Sequence, residues 1–222
     1  MPINRPPRDI SRLPQELALF PLSGAILLPR AELPLNVFEP RYLEMVEDAL
    51  RGDRMIGMIQ PDAARPDCAR GPGLFEVGCA GRITQFAETG DGRLLVTLTG
   101  VSRFKVAQEL ETATAYRRSA VDFSPYAGDL VACSSLDGRR ADVMAALRRF
   151  AQARSVQIDW EGVEETPTEA LVNALAMMAP FGVAEKQALV EAQTLDARAA
   201  ALIAMSEFSL AQAPAAGKAS LQ

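Results

Sequence analysis

The sequence predicts an α+β fold in which a β-rich unit is followed by a helical bundle. Two observations carry this. From Glu16 to Phe123, short apolar runs alternate with clusters of Pro, Gly and Asp, the punctuation of a small all-β unit. After Phe123, alanine and leucine recur at helical spacing. The length of 222 residues allows one large domain or two small ones, at about 100–200 residues each. With 49% hydrophobic and 23% charged residues the composition is close to the globular average, so the chain needs no covalent staples.

Residues 1–15 are polar and proline-rich, and read as a flexible arm. The β-rich unit spans 16–124. Its expected strands are Leu17–Phe20, Ala25–Leu28, Leu33–Phe38, Met55–Ile59, Val77–Ala87, Leu94–Thr99, Arg103–Leu110 and Ala115–Phe123. Glu88–Arg93 is a hairpin turn in which Gly90 and Gly92 are free to take positive φ. One helix interrupts the strands. Pro40 suits its first turn, Tyr42, Val46, Ala49 and Leu50 recur at helical spacing, and Gly52 stops it. Pro61 to Gly73 is a long surface loop with several prolines. Residues 125–135 read as a linker, 136–211 as a bundle of four helices, and 212–222 as a flexible tail.

Within the bundle, the first helix runs from Leu136 to Ala153. Val143, Leu147, Phe150 and Ala151 form its buried stripe, and Arg139, Arg140, Arg148 and Arg149 its solvent side. The second opens on Thr166-Pro-Thr-Glu169, a capping box, and runs to Ala179. The third covers Ala184–Ala192 and the fourth Asp196–Leu210.

Composition excludes several kinds of chemistry. There is no histidine, which removes Ser-His-Asp and Cys-His nucleophile systems, His-ligated metals and imidazole acid–base catalysis. The three cysteines, Cys68, Cys79 and Cys133, form no Cys-x-x-Cys pair, which argues against a zinc site or a disulfide framework and fits a reducing compartment. Net charge is −5 and the pI about 5.0, so general affinity for nucleic acid or anionic membrane is not supported. Residues 1–124 hold 15 basic and 16 acidic side chains, and 125–222 hold 8 and 12, so neither half is basic. The longest uninterrupted apolar run, Ala199–Met205, is too short to span a bilayer, and the N-terminus lacks the apolar core of a secretory signal. The expectation is a soluble, cytoplasmic protein.

Specific strings then carry a resemblance. Leu19-Phe-Pro-Leu22, Leu27-Leu-Pro29 and Leu33-Pro-Leu-Asn-Val-Phe-Glu-Pro-Arg-Tyr42 with Met45-Val46 are similar to the start of the Lon protease N-terminal, substrate-binding domain family. Val77-Gly-Cys-Ala-Gly-Arg-Ile83 resembles its glycine-containing central strand, and Gly100-Val-Ser-Arg-Phe104 its G-x-x-R-F hairpin. Lys186-Gln187 with Leu189 and Glu191 resembles a run in its last helices, with Val190 where leucine is usual. The resemblance covers about residues 16–210, and is narrowest to stand-alone bacterial members that carry this domain without the rest of the protease. It implies a PUA-like β pseudo-barrel with a C-terminal four-helix bundle, and engagement of unfolded or tagged proteins. The sequence has no G-x-x-x-x-G-K-[ST] phosphate loop, and Lys105, Lys186 and Lys218 belong to no recognisable Ser-Lys dyad.

Each conspicuous group has a structural reading beside the functional one. Phe38-Glu-Pro-Arg-Tyr42 reads first as a strand-to-helix corner, with Phe38 pointing inward, Glu39 at the positive end of the helix dipole and Arg41 paired with a carboxylate. Its functional reading is a peptide-binding rim made by Glu39, Arg41, Tyr42 and Glu44 beside exposed apolar residues. The pairs Glu47-Asp48 and Glu164-Glu165 read as solvated acids, since neighbours on a helix do not face each other. Arg117-Arg118 reads as ion pairs rather than a phosphate contact, and the eight methionines as core filler. Trp160 takes no assignment.

The expected function is a non-catalytic protein- or peptide-binding module, with an apolar groove or sheet edge accepting extended chain. The alternative is an RNA-binding PUA-like protein, and a third reading is an enzyme with an unrecognised carboxylate site. No metal or cofactor is expected. The expected partners are unfolded or tagged proteins and peptides, with a protease or chaperone beyond them, rather than nucleic acid or membrane.

Overall fold

The computed structural model describes residue 7 and residues 9–68, 70–132, 139–154, 157 and 159–212. Residues 1–6 and 8 of the expected arm, residues 133–135 of the expected linker, the first turn of the helix expected from Leu136 and nearly all of the expected tail lie outside the described residues, while the described end of the arm forms a 3-10 turn and buries Leu13. In chain order the elements are β1 (Glu16–Pro21), β2 (Glu32–Val37), α1 (Pro40–Arg51), β3 (Met55–Ile59), β4 (Val77–Glu88), β5 (Leu94–Leu110), β6 (Arg117–Asp122), α2 (Arg140–Arg154), α3 (Trp160–Glu165), α4 (Thr168–Met178), α5 (Val183–Glu191) and α6 (Leu195–Gln212). Short 3-10 turns occupy Ile10–Arg12 and Ser124–Leu130. The chain divides into two units. Unit 1 is 1–132 with 177–191; unit 2 is 133–176 with 192–222.

Unit 1 is a six-stranded mixed sheet in the order β2-β5-β4-β3-β1-β6, and β6 pairs back onto β5. Five strands thus close into a pseudo-barrel, and β2 is left as an edge strand on β5. β1 and β3 run parallel, a pairing that needs a crossover, and α1 lies within the connecting segment.

Side-chain alternation with a period of two explains the core. Ala18 and Phe20 face one apolar cluster with Tyr42, Met45, Val46 and Ala49 of α1, while Leu17 and Leu19 face a second with Phe104 and Phe123. β3 serves both, sending Ile56 and Met58 to the first and Met55 and Ile59 to the second. Buried on both faces, it reads as an unbroken apolar run. α1 begins at Pro40 and stops at Gly52, as its sequence signals require. The β4–β5 turn uses positive φ at Gly90 (78°) and Gly92 (83°).

Three strand expectations change. Ala25–Leu28 is not a strand, although Ile26, Leu27 and Leu28 are buried. Its backbone leads into a crossing with Gly100, where the Arg30 amide donates to the Gly100 carbonyl and the Gly100 amide to the Ala31 carbonyl, both at 2.8 Å. A Cβ on Gly100 would lie 2.0 Å from the Leu28 carbonyl oxygen. Gly100 is therefore a close-approach glycine and not a hairpin turn. The two strands expected at Leu94–Thr99 and Arg103–Leu110 are one continuous β5, with the irregularity absorbed where Gly81 pairs Gly100 and Ala80 pairs Ser102. Phe38 does not point inward: it is 59% exposed, with the Arg93 guanidinium 5.7 Å from its ring centre.

Two parts of the C-terminal expectation also differ. Ser124–Leu130, expected within the linker, is a 3-10 turn that buries Tyr126 and Asp129. α5, expected in the bundle, belongs to unit 1 and packs against β4. The Gln187 side-chain amide donates to the Val77 carbonyl at 3.0 Å, and that of Gln60 donates to Gln187 Oε1 at 3.1 Å. Lys186 Nζ donates to the carbonyls of Gly24 (2.7 Å) and Met177 (2.8 Å), and burial lowers its pKa.

In unit 2, α2 packs on α6, with Val143, Leu147, Ala151, Ala199 and Leu202 buried. Arg198 Nη1 donates to Asn173 Oδ1 at 3.0 Å in the buried interior. Arg140 is not a solvated arginine. It donates to the carbonyls of Val163 (3.1 Å), Glu164 (2.7 Å) and Thr166 (2.7 Å) at the C-terminal end of α3. The Thr166 hydroxyl, expected to cap α4, donates to the Gly162 carbonyl at 2.7 Å. Trp160 lies under the Arg148 guanidinium, 5.3 Å from the ring centre.

Candidate peptide-binding groove

Glu39, Arg41, Tyr42 and Glu44 do not converge on one point. Glu39 occupies the N-cap of α1 without a side-chain capping bond. Its Oε2 instead accepts from Arg41 Nε at 3.0 Å and pairs with Nη2 at 2.8 Å. The Arg41 guanidinium lies over the Tyr42 ring at 4.5 Å, and that ring packs on Phe20 with centroids 4.3 Å apart. Tyr42 is buried, which raises its phenol pKa, while Glu44 is exposed on α1. The corner is thus a stack built on the core, with an ion pair as its outer layer.

Arg41 and Tyr42 line a cleft of about 110 Å³ together with Arg70, Tyr116, Arg117 and the prolines 21, 61 and 72. Most of its cationic groups are engaged. Arg117 forks onto Glu109 at 2.7 and 2.6 Å and donates to the Pro72 carbonyl at 2.6 Å. Arg70 donates to the Thr112 hydroxyl at 3.1 Å and to the Thr112 carbonyl. The Tyr116 hydroxyl donates to Asp48 Oδ2 at 2.8 Å, and burial followed by this bond pushes its pKa up to about 12.

Arg117 also forms a wall of a larger groove of about 580 Å³, between the 65–76 segment and the β5–β6 hairpin. Leu74, Phe75 and Val106 give it apolar surface, and Arg65, Glu76, Gln108 and Glu109 a polar margin of both signs. The wall is pinned: the Val106 amide donates to the Glu76 carbonyl at 2.7 Å, and Arg65 and Lys105 pair with the Glu76 carboxylate at 2.7 and 3.3 Å. Two features leave hydrogen-bonding capacity here. The β5–β6 register passes from Val106↔Val121 to Gln108↔Ala120, so Ala107 is skipped in the ladder. The Ser119 hydroxyl is buried without a hydrogen-bond partner. Opposite charges in the margin neutralise one another, so the groove is not a basic face.

The other expected acceptor of extended chain, a sheet edge, is compromised. β2 is the edge strand, and Pro34 at its centre has no N–H to offer an added strand. The exposed Phe86 and Leu95 lie near its far end on β4 and β5.

Sequence reasoning singled out Arg41 and Tyr42 of this region, and weighed Arg117 as an ion-pair residue. It passed over Arg70, Phe75 and Gln108 as loop or strand residues. No signal marks Ala107, because its skipped position depends on how β6 pairs. Among the described residues no group of three or more His, Cys, Asp or Glu is placed to hold a metal ion, and no helix is long and apolar enough to cross a membrane.

Comparison with known proteins supplies the remaining context. Residues 16–205 match the sequence profile described as the ATP-dependent protease La (LON) substrate-binding domain. The chain is 28% identical to Lon protease 2 of Sorangium cellulosum over 197 residues, 84% of this chain and 24% of that protein. It is 21% identical to Lon protease 2 of Thermus thermophilus over 199 residues, 90% of this chain and 25% of that protein. The chain thus spans about a quarter of the length of these relatives. Among solved structures, the Lon N-terminal domain protein from Xanthomonas campestris superposes with a TM-score of 0.60 at 22% identity, covering 85% of this chain and 97% of that one. The N-terminal domain of Mycobacterium avium complex Lon protease gives a TM-score of 0.63 at 15% identity, covering 86% and 98%. These two are likenesses of fold.

Proposed function

The chain belongs to the family of LON substrate-binding domains, and from that premise we propose that it binds extended segments of unfolded or tagged protein in the groove between residues 65–76 and the β5–β6 hairpin. The observation that carries this reading is the skipped Ala107 beside the apolar wall of Leu74 and Phe75. An extended peptide needs backbone partners for sequence-tolerant affinity and apolar pockets for selected side chains, and this groove offers both. Its volume of about 580 Å³ lies within the range of about 300–1,000 Å³ usual for ligand sites.

In this reading Arg41 and Tyr42 form a rim at the adjoining small cleft, reached past Arg117, with Glu39 held on Arg41 and Glu44 exposed on α1 outside it. The module binds without chemistry of its own, acts in the cytoplasm, and hands its clients to a protease or chaperone. Affinity should be micromolar, about −8 kcal/mol, because a flexible chain loses ordering entropy on docking.

The test is a salt series on the full chain with two probes, a labelled unfolded protein and a structured RNA. Apolar docking survives raised salt, whereas binding to phosphates collapses between about 50 and 200 mM. Ala107→Trp, which fills the groove at an exposed position, should weaken the protein probe at least tenfold. Tight RNA binding with a steep salt slope and no protein signal would instead favour the RNA-binding alternative.

A further inference from the structure

Unit 1 carries a second, separate cleft, of about 320 Å³, on the outer face of β4 and β5. Its floor holds Arg82, directly opposite Thr99 in the strand register, and Thr84, whose hydroxyl lies 2.9 Å from that of Thr99. Val101 and Leu130 are its apolar walls, and Arg30 closes one side.

One cation of this cleft, Arg82, stands without a partner among the described residues. The one carboxylate among the lining residues, Asp129, is taken by Arg103, which reaches it through the backbone amide (2.9 Å), Nε (2.9 Å) and Nη2 (2.8 Å). Arg30 donates from Nη1 to the Asp129 backbone carbonyl. The Arg82 side chain has no ion pair or hydrogen bond among the described residues, and its Nε is sealed from water with no acceptor. Seven arginines of unit 1, Arg41, Arg51, Arg65, Arg93, Arg103, Arg117 and Arg118, each pair with a carboxylate, whereas Arg82 has a guanidinium nitrogen buried without an acceptor. A guanidinium presents a fork of N–H donors that fits a carboxylate through two parallel bonds. A buried donor without an acceptor is costly, so a site built this way gains when an anion arrives.

We propose that this cleft binds a small free carboxylic acid, with the carboxylate on Arg82 and its apolar stem against Val101 and Leu130. The volume sits at the lower end of the range for small-molecule sites, about 300 Å³. The apolar walls favour an acid with a short hydrocarbon stem over a bare inorganic anion, and the Thr84–Thr99 hydroxyl pair gives the carboxylate a polar border. This site is distinct from the peptide groove, and its occupancy does not depend on that reading.

The experiment is ligand-observed NMR titration of the full chain with octanoate, octanol, inorganic phosphate and an acetylated tripeptide ending in a free leucine carboxylate. Octanoate should saturate and bind at least tenfold tighter than octanol, a difference of about 1.4 kcal/mol. Arg82→Met should remove that preference, and Arg82→Lys should keep part of it. Thr84→Glu, which places an internal carboxylate beside Arg82, should abolish octanoate binding even if Arg82→Met proves unstable. Equal binding of octanoate and octanol, or octanoate binding indifferent to both Arg82→Met and Thr84→Glu, would overturn the proposal. So would phosphate binding tighter than octanoate, or Arg82-dependent binding confined to the tripeptide.

Discussion

Replacing Asp129 with alanine removes the buried carboxylate that Arg103 grips while leaving the guanidinium where it is. Arg103 and Asp129 are 3% and 9% exposed. Arg103 would keep its bond to the Val190 carbonyl at 3.0 Å and its position 4.3 Å from the Tyr126 ring centre. Hydrogen bonds to charged groups contribute about 1.5–3 kcal/mol each, but three bonds to one carboxylate are not additive. Breaking a buried pair by deleting one partner costs about 3–5 kcal/mol, because the remaining charge stays buried. That is the expected loss for Asp129→Ala. The double variant Arg103→Leu/Asp129→Leu should lose less than Asp129→Ala alone, since it leaves no uncompensated charge. All three tyrosines, Tyr42, Tyr116 and Tyr126, lie in unit 1, and the single tryptophan, Trp160, in unit 2. Near-UV tyrosine dichroism during urea unfolding therefore follows the affected unit. At an m-value of about 2 kcal/mol/M the midpoint should fall by about 1.5–2.5 M. A loss below about 1 kcal/mol, or a double variant as unstable as the sum of the singles, would refute the buried-charge reasoning.

Other outcomes follow from the same physics. Gly100→Ala should cost at least about 3 kcal/mol, because the new Cβ would sit 2.0 Å from the Leu28 carbonyl oxygen; an unchanged urea midpoint would contradict the close-approach reading. Tyr116, with a pKa of about 12 when folded against about 10 unfolded, keeps its proton longer in the native state. Its contribution to stability is complete below about pH 10 and is lost as pH rises toward about 12, so Tyr116→Phe should flatten the stability profile in that window. Phenolate absorbance that shows all three tyrosines titrating near 10 would contradict this. Arg140→Met should destabilise unit 2 by about 1–2 kcal/mol by stranding the last carbonyls of α3, read from Trp160 fluorescence during unfolding, and an unchanged midpoint would rule out that capping role.

Much of unit 1 was legible where local chemistry and tertiary environment agree. Met55–Ile59 was delimited as it stands because a strand buried on both faces has no polar interruptions. α1 was legible because Pro40 and Gly52 mark its ends. Ala25–Leu28 misled because burial and strand pairing are different things: its apolar side chains enter the core while its backbone heads to Gly100. The same glycine suggested a turn because a sequence does not distinguish freedom of φ from room for a neighbouring backbone. α5 was identified as a helix but not by its partner, since nothing local tells that Lys186 and Gln187 reach backbone carbonyls of unit 1. At the candidate groove only the Arg41–Tyr42 corner stood out. The skipped Ala107 and the unpaired Arg82 are products of register and neighbourhood, which no local motif encodes.

Because unit 1 is assembled from 1–132 and 177–191, its order of synthesis matters. When residue 132 leaves the ribosome all six strands exist, but the segment that satisfies Gln60, the Val77 carbonyl and Arg103 is still about 60 residues away. At about 5–20 residues per second that interval lasts roughly 3–12 s, far longer than strands need to collapse. Throughout it the nascent barrel displays polar groups awaiting α5 and an uncovered stretch of β4. A ribosome-associated chaperone would find its opportunity there, and a stalled or truncated chain would carry that surface permanently.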